Sequence, residues 1–312
     1  MTIAFVEIKE AARKLLAENI KLKKNEKVVL VTDKKKCQIF DALKRVLKED
    51  KIKFEILKLS PQREHSSPIP SAAKVFENAD VIVAPTLKSI SHSPETYAAR
   101  KKGARVASMP GITSELFVEA MKADSEKIKR INRKLAKKLK NAKVANVITP
   151  SGTNLKMSLK DAIVYSHDDG DISRKGILNN VPFGEVETYG GMGSGKLVID
   201  SWGEKIKPGD GAWIYIKRGK IVEWNKKGKL LVDQLRRVGE CGLRIIEFSI
   251  GTNKIFKEPR GNVLCDEKIY GSVHVAFGGG PTRECPIHID VILLKPTVWV
   301  SGRKVVDRGR IN

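Results

Sequence analysis

The chain has 312 residues, of which 41% are hydrophobic and 30% charged, and its formal net charge is +23. This is the composition of a globular protein long enough for two domains, and it excludes a disordered or fibrous chain. No stretch approaches the roughly eighteen apolar residues of a membrane span, and no basic region followed by a long apolar run stands near Met1. The expectation is a soluble, cytoplasmic protein with no membrane partner.

In chain order, the first half alternates helix and strand signals. A helix over about Ile8 to Asn19 precedes the apolar run Val28 to Val31. A helix over Cys37 to Lys48 precedes the strand Lys53 to Leu57, and a short helix over Ser71 to Phe76 precedes the strand Asp80 to Ala84. A helix over Glu95 to Lys102, closed by Gly103, leads to the strand Arg105 to Met109. Continuous apolar strands separated by helices predict a parallel, Rossmann-like sheet covered on both faces. From Thr113 to Lys143 the pattern is helical, with Ile128, Ile131, Leu135 and Leu139 forming one apolar stripe on a strongly basic helix.

Past Val144 short alternating strands take over: Ala145 to Thr149, Leu155 to Leu159, Lys196 to Ser201, Gly211 to Lys217 and Ile287 to Leu294. The reading is an α/β domain over 1–143 and a metal-binding catalytic domain over 144–312, α+β with a barrel-like antiparallel sheet. Cys37, Cys241, Cys265 and Cys285 are scattered without a Cys-x-x-Cys pair, so they read mostly as buried small hydrophobes. Abundant Lys, Arg and Glu with scarce Gln follow the trend of thermophilic proteins. The net charge keeps a non-enzymatic binder of nucleic acid or an acidic partner open. No RNA- or DNA-reading motif accompanies it, so solvated lysine faces are the favoured account.

The chemistry concentrates near the C-terminus. Glu267 precedes Gly271 to Gly278, which contains His274, and His288-Ile289-Asp290 puts two donors on one face of a strand. Glu185 stands where the Pro- and Gly-bounded turn Val181-Pro182-Phe183-Gly184 enters a strand, a junction that exposes a side chain on a fixed scaffold. Glu247 lies among apolar residues, where an uncompensated carboxylate costs several kcal/mol. Four carboxylates and two imidazoles suffice for two divalent ions bridged by a carboxylate and water. One ion held by His274, His288 and a single acid is the alternative.

These motifs resemble the metallo-aminopeptidases of the aminopeptidase T, aminopeptidase S and PepS group, in their shorter archaeal-type form. The matching segments are Gly152 to Leu155, Asn180 to Val186, Ile246 to Asn253, Asp266-Glu267 with Gly271, His274 to Gly278, and His288 to Asp290. The resemblance implies an N-terminal α/β domain, a C-terminal domain holding two divalent metal ions (zinc, cobalt or manganese), and a homodimer. It also implies Glu185, Glu247, Glu267, His274, His288 and Asp290 as metal ligands, with Glu185 and Glu247 as the catalytic carboxylates. The activity so implied is hydrolysis of N-terminal, leucine-like residues from peptide substrates by a metal-activated water.

The chain departs from the longer aminopeptidases in carrying Gly279-Gly280-Pro281 where they have a catalytic tyrosine. Tyr189 and Tyr270 are the candidate replacements. A related sub-group is a mononuclear ferrous-iron dioxygenase that cleaves a dihydroxypyridine ring with two His and one Asp. His274, His288 and Asp290 would serve that alternative, leaving the three glutamates unexplained. His92, beyond the strand ending at Ala84, is a further candidate for contact with the site.

Overall fold

The computed structural model describes residues 3–65, 67–190 and 192–312. In chain order the elements begin with α1 (Phe5–Lys14), β1 (Val28–Thr32), α2 (Gln38–Glu49), β2 (Phe54–Lys58), α3 (Ala73–Glu77), β3 (Val81–Ala84), α4 (Pro94–Lys101), β4 (Arg105–Ser108), α5 (Ser114–Ala120) and α6 (Ser125–Leu139). There follow β5 (Val144–Ile148), β6 (Asn154–Ser158), β7 (Ile163–Tyr165), β8 (Leu178–Asn180), β9 (Glu185–Tyr189), β10 (Met192–Ile199), β11 (Ala212–Lys217), β12 (Lys220–Trp224) and α7 (Lys229–Arg236). Last come β13 (Ile245–Gly251), α8 (Val263–Asp266), β14 (Val273–Gly280), β15 (Arg283–Leu293), β16 (Thr297–Val300), β17 (Arg303–Asp307) and β18 (Arg310–Ile311).

One unit contains the residues up to Ser125 together with His167–Phe183. Its sheet is parallel throughout, in the order β2-β1-β3-β4-β8. The continuous apolar strands are explained by their neighbours: Val28, Leu30, Val81 and Val83 enter one core, while Val29, Val31, Ile82 and Ala84 enter another. Both faces are therefore covered, as a parallel sheet requires.

The helical stretch after Thr113 is two helices rather than one. The Lys14 ammonium donates to the Met121 carbonyl at 2.7 Å and lies 3.5 Å from that of Ala123, satisfying carbonyls freed where α5 ends.

The other unit contains Glu126–Ser166 and Gly184–Asn312. Its two antiparallel sheets run β12-β11-β10-β6-β5-β16-β17-β18 and β15-β14-β13-β9-β7. Leu155, Leu197 and Ile214 from the first and Phe248, Val275 and Val291 from the second share one core. The division differs from the boundary expected near 143 in two ways. The apolar stripe of α6 packs here, with Leu135 and Leu139 in this core and Ile131 against it. Residues 167–183 return to the parallel unit, because β8 pairs with β4 and Ile172 and Val181 are buried in its core.

Three lysines and one arginine pack on aromatic rings: Lys196, Lys205, Arg236 and Lys304 lie over Trp213, Trp202, Trp224 and Trp299. Two cysteines are not the small hydrophobes expected, for Cys241 and Cys285 form a disulfide. Cys265 is buried and outside any disulfide. No helix among the described residues is long and apolar enough to cross a membrane.

Candidate metal centre

All six candidate donors lie in the second unit, and five are on strands of its five-stranded sheet. The register aligns Tyr189, Glu247, Ala276 and Asp290 in a row across β9, β13, β14 and β15. Glu187, Ser249, His274 and Ile292 form the next row. Residues two apart share a face, so Glu185 and His288 join the same side. The opposite side carries Val186, Phe248, Val275 and Val291 into the core. The residue pattern that hides one face thus gathers the polar groups on the other.

Ala276 is completely buried between Glu247 and Asp290, and its small side chain leaves room between the two carboxylates. One ligand atom each from Glu247, His274 and Asp290 lie within 4.8 Å of one another. His274 Nε2 is 3.2 Å from Glu247 Oε1 and 3.4 Å from Glu185 Oε2. His288 Nε2 is 3.4 Å from Asp290 Oδ2 and 3.5 Å from Glu247 Oε2. Substituting valine for Ala276 is expected to weaken metal binding by about tenfold through overpacking of about 1–3 kcal/mol, with every donor retained. Equilibrium dialysis against Mn²⁺ checks this; unchanged affinity would show that the donors converge elsewhere.

Neighbouring groups hold the donors in place. His288 Nδ1 is 2.6 Å from the Gly279 carbonyl oxygen and donates to it, which turns Nε2 toward the acids with its lone pair available to a cation. Ser249 Oγ donates to Glu247 Oε1 at 2.5 Å. Asn132, buried on α6, donates from Nδ2 to the Glu185 carbonyl at 2.8 Å and accepts from Thr252 Oγ1 at 2.6 Å. Gly251 lies so close to the turn after α8 that a Cβ there would stand 2.2 Å from the Ile269 oxygen.

That turn delivers Glu267. Asp266 is not a donor to the cluster: its carboxylate accepts from Ser201 Oγ at 3.0 Å and from the Arg260 amide at 2.6 Å, anchoring α8. The next residue but one is Lys268, whose side chain is wholly buried and whose ammonium pairs with Glu185 Oε1 and, at 2.9 Å, with Glu267 Oε1. Sequence reading missed Lys268, Ser249 and Asn132. Ser249 shares the strand face of Glu247 and was accessible from period two. A lysine after two acids, and an asparagine on a basic helix, read as solvated.

The electrostatics show a cluster short of positive charge. Burial, reinforced by Asp290 and opposed by Lys268, raises Glu267 to about 7. Burial disfavours His288 protonation, but the charge and hydrogen bond of Asp290, with Glu247, outweigh it and raise the imidazole to about 10. His274 is raised in the same sense, against burial, by Glu247. Burial opposes the ionisation of Glu247 and Asp290, yet His274 and His288 respectively hold them below the ordinary carboxylate range. Burial, then Glu187, pushes the Tyr189 phenol well above its ordinary value, so it stays protonated at neutral pH. This donor set, two imidazoles amid excess carboxylate, fits a divalent cation.

A proton must leave when such a cation binds. Since His288 is raised in the folded chain, its pairing stabilises the metal-free fold fully below the ordinary value of 6.5 and is lost as pH rises through about 10. Metal affinity is expected to rise over that window, with about one to two protons released per chain near neutral pH, since both imidazoles are raised. Calorimetry of Mn²⁺ binding in buffers of different ionisation enthalpy measures the release; identical heats in all buffers would contradict it.

His92 belongs to the parallel unit, where its Nδ1 lies 2.8 Å from the Tyr97 hydroxyl. Tyr189 stands opposite Glu247, whereas the Tyr270 ring carries Lys254 over its face.

A parallel α/β unit followed by antiparallel sheets bearing a carboxylate–imidazole cluster presents a candidate site for a divalent cation. A model of the NicX family, described as 2,5-dihydroxypyridine 5,6-dioxygenase, matches residues 9–208, and the chain belongs to that family. Its structure is similar to the 2,5-dihydroxypyridine dioxygenase of Pseudomonas putida, at TM-score 0.83 and 17% identity, over 100% of this chain and 98% of the other. It is also similar to wild-type AmpT from Thermus thermophilus, at TM-score 0.71 and 17% identity, over 99% and 100%. No curated protein matches the chain.

The expected aminopeptidase activity is thereby corrected. The family match falls on a ring-cleaving dioxygenase, so the segments resembling aminopeptidase T mark a shared scaffold, not a shared peptide hydrolysis. The local structure agrees at Gly279, where a Cβ would lie 2.3 Å from the Cys285 oxygen. At this break in the β14–β15 register the backbone leaves no room for a side chain.

Proposed function

We propose that this chain is a mononuclear ferrous-iron dioxygenase that opens the ring of a dihydroxylated pyridine. The observation that carries the reading is the Glu247, His274 and Asp290 group, with His288 beside it, in a chain of the NicX family. The family match includes Glu185 but stops before the other five residues, so their roles rest on geometry. Imidazole and carboxylate together are the ligand set of non-haem ferrous oxygenases. Bound iron would supply the one-electron chemistry that lets dioxygen react with a closed-shell ring.

The residues have separable tasks in this reading. His274, His288, Glu247 and Asp290 hold the ion, and Gly279 and Ser249 fix the orientation of His288 and Glu247. His288 and Asp290 are the more exposed members, at 22% and 13% of their side-chain surface, and lie on edge strand β15, so a planar ring approaches from that side. The protonated Tyr189 phenol, across from Glu247, donates to Glu187 Oε1 at 3.2 Å. The buried site keeps water from the reacting ring.

The test is oxygen uptake by anaerobically iron-loaded protein given 2,5-dihydroxypyridine. One O₂ consumed per ring lost, abolished by chelation and restored by Fe²⁺, is the expected result. No uptake over a panel of dihydroxylated pyridines would sink the reading.

A further inference from the structure

We propose that Lys268 is a built-in second cation of the centre, which limits it to one divalent ion. The inference rests on the single-ion reading above and explains why so many acids surround one metal. Lys268 is wholly buried, an environment that an ammonium tolerates only with opposite charge at hand. It pairs with Glu185 and Glu267, whereas the three-donor group is formed by Glu247, His274 and Asp290. The acids therefore divide between two cations, one covalently part of the chain and one taken from solution.

Charge balance supports the division. Glu185, Glu247, Glu267 and Asp290 carry four negative charges when ionised. Against them, the ammonium and one divalent ion leave the cluster one charge negative. A second divalent ion would leave it positive, with an ammonium and two ions repelling one another at close range in a medium that screens poorly. The turn that supplies Lys268 is fixed from outside the cluster, by Asp266 bound to Ser201 and Arg260 and by the tight approach of Gly251. Lys268 is a positioning residue: it takes up Glu185 Oε1 and Glu267 Oε1, which leaves only Glu185 Oε2, 3.4 Å from His274 Nε2, facing the imidazole.

Metal counting tests the proposal without reference to turnover. Dialysis of the intact chain against saturating Mn²⁺ should leave one ion per chain, with an uncoupled paramagnetic resonance signal. Lys268→Met, and Lys268→Gln as a polar alternative that can still hydrogen-bond Glu185, should each bind two and show the exchange-coupled signal of neighbouring ions. Two ions in the unaltered protein would overturn the proposal, as would one ion in either folded variant. Should neither variant fold, the count in the unaltered protein still decides. Oxygen uptake separates this from the functional reading: one ion without uptake sinks the dioxygenase and spares Lys268. Uptake with one ion in Lys268→Met does the reverse.

Discussion

Asp290→Asn is expected to lower metal affinity and ring-cleaving turnover together by about 10³-fold, the several kcal/mol that separate a charged ligand oxygen from an amide at a cation. Asp290 is one of the three converging donors and stands 3.4 Å from His288 Nε2. The amide keeps the shape but removes the anion, so two losses would coincide: the carboxylate proposed to hold the ion and the charge facing His288. The metal-free fold should lose the pairing that raises His288, offset in part by relief of the repulsion felt by Glu247 and Glu267, so a modest fall in its melt is expected. The measurement is Mn²⁺ dialysis and oxygen uptake, beside a melt of the metal-free protein. Binding equal to the parent would remove Asp290 from the centre, and a collapsed melt would make it a structural residue.

Removing the disulfide with Cys241→Ser and Cys285→Ser is expected to cost about 4 kcal/mol, from the loop-closure entropy of the 44 residues it spans. In a domain of this size that corresponds to a melting temperature lower by about 10 °C. Cys241 stands in the connection between α7 and β13, and Cys285 near the start of β15. The bond thus ties the approach to Glu247 to the edge strand that carries His288 and Asp290, whose outer side is paired by a bridge to Ser201 at Ile292. Thermal melts with and without reductant check this. The parent should be sensitive to reductant and the double variant indifferent; equal melts in all cases would show that the bond constrains nothing.

These effects also show what a single sequence could and could not disclose. His288-Ile289-Asp290 was legible because strand periodicity puts both donors on one side, and Glu247 because a carboxylate among apolar residues needs a partner. The parallel sheet was legible from its apolar runs. The reaction was less so, because the chain shares its fold with both the dihydroxypyridine dioxygenase and AmpT, and a fold does not by itself name a reaction. Lys268 was hidden because nothing in local sequence distinguishes a buried lysine from a solvated one. The Cys241–Cys285 bond was hidden because it depends on strands brought together across the sheet. The path of residues 167–183 was hidden for the same reason, since three residues of β8 add to a sheet begun well over a hundred positions earlier.

The cross-strand register has a consequence for the timing of assembly. Donors drawn from Glu247 to Asp290 meet only after β15 has aligned on β14, which is itself aligned on β13. A nascent chain or a fragment ending before β15 has a parallel sheet to fold but no place for an ion. A divalent ion bound there as proposed would act late, stabilising the finished sheet by mass action and leaving the formation of the first elements unchanged.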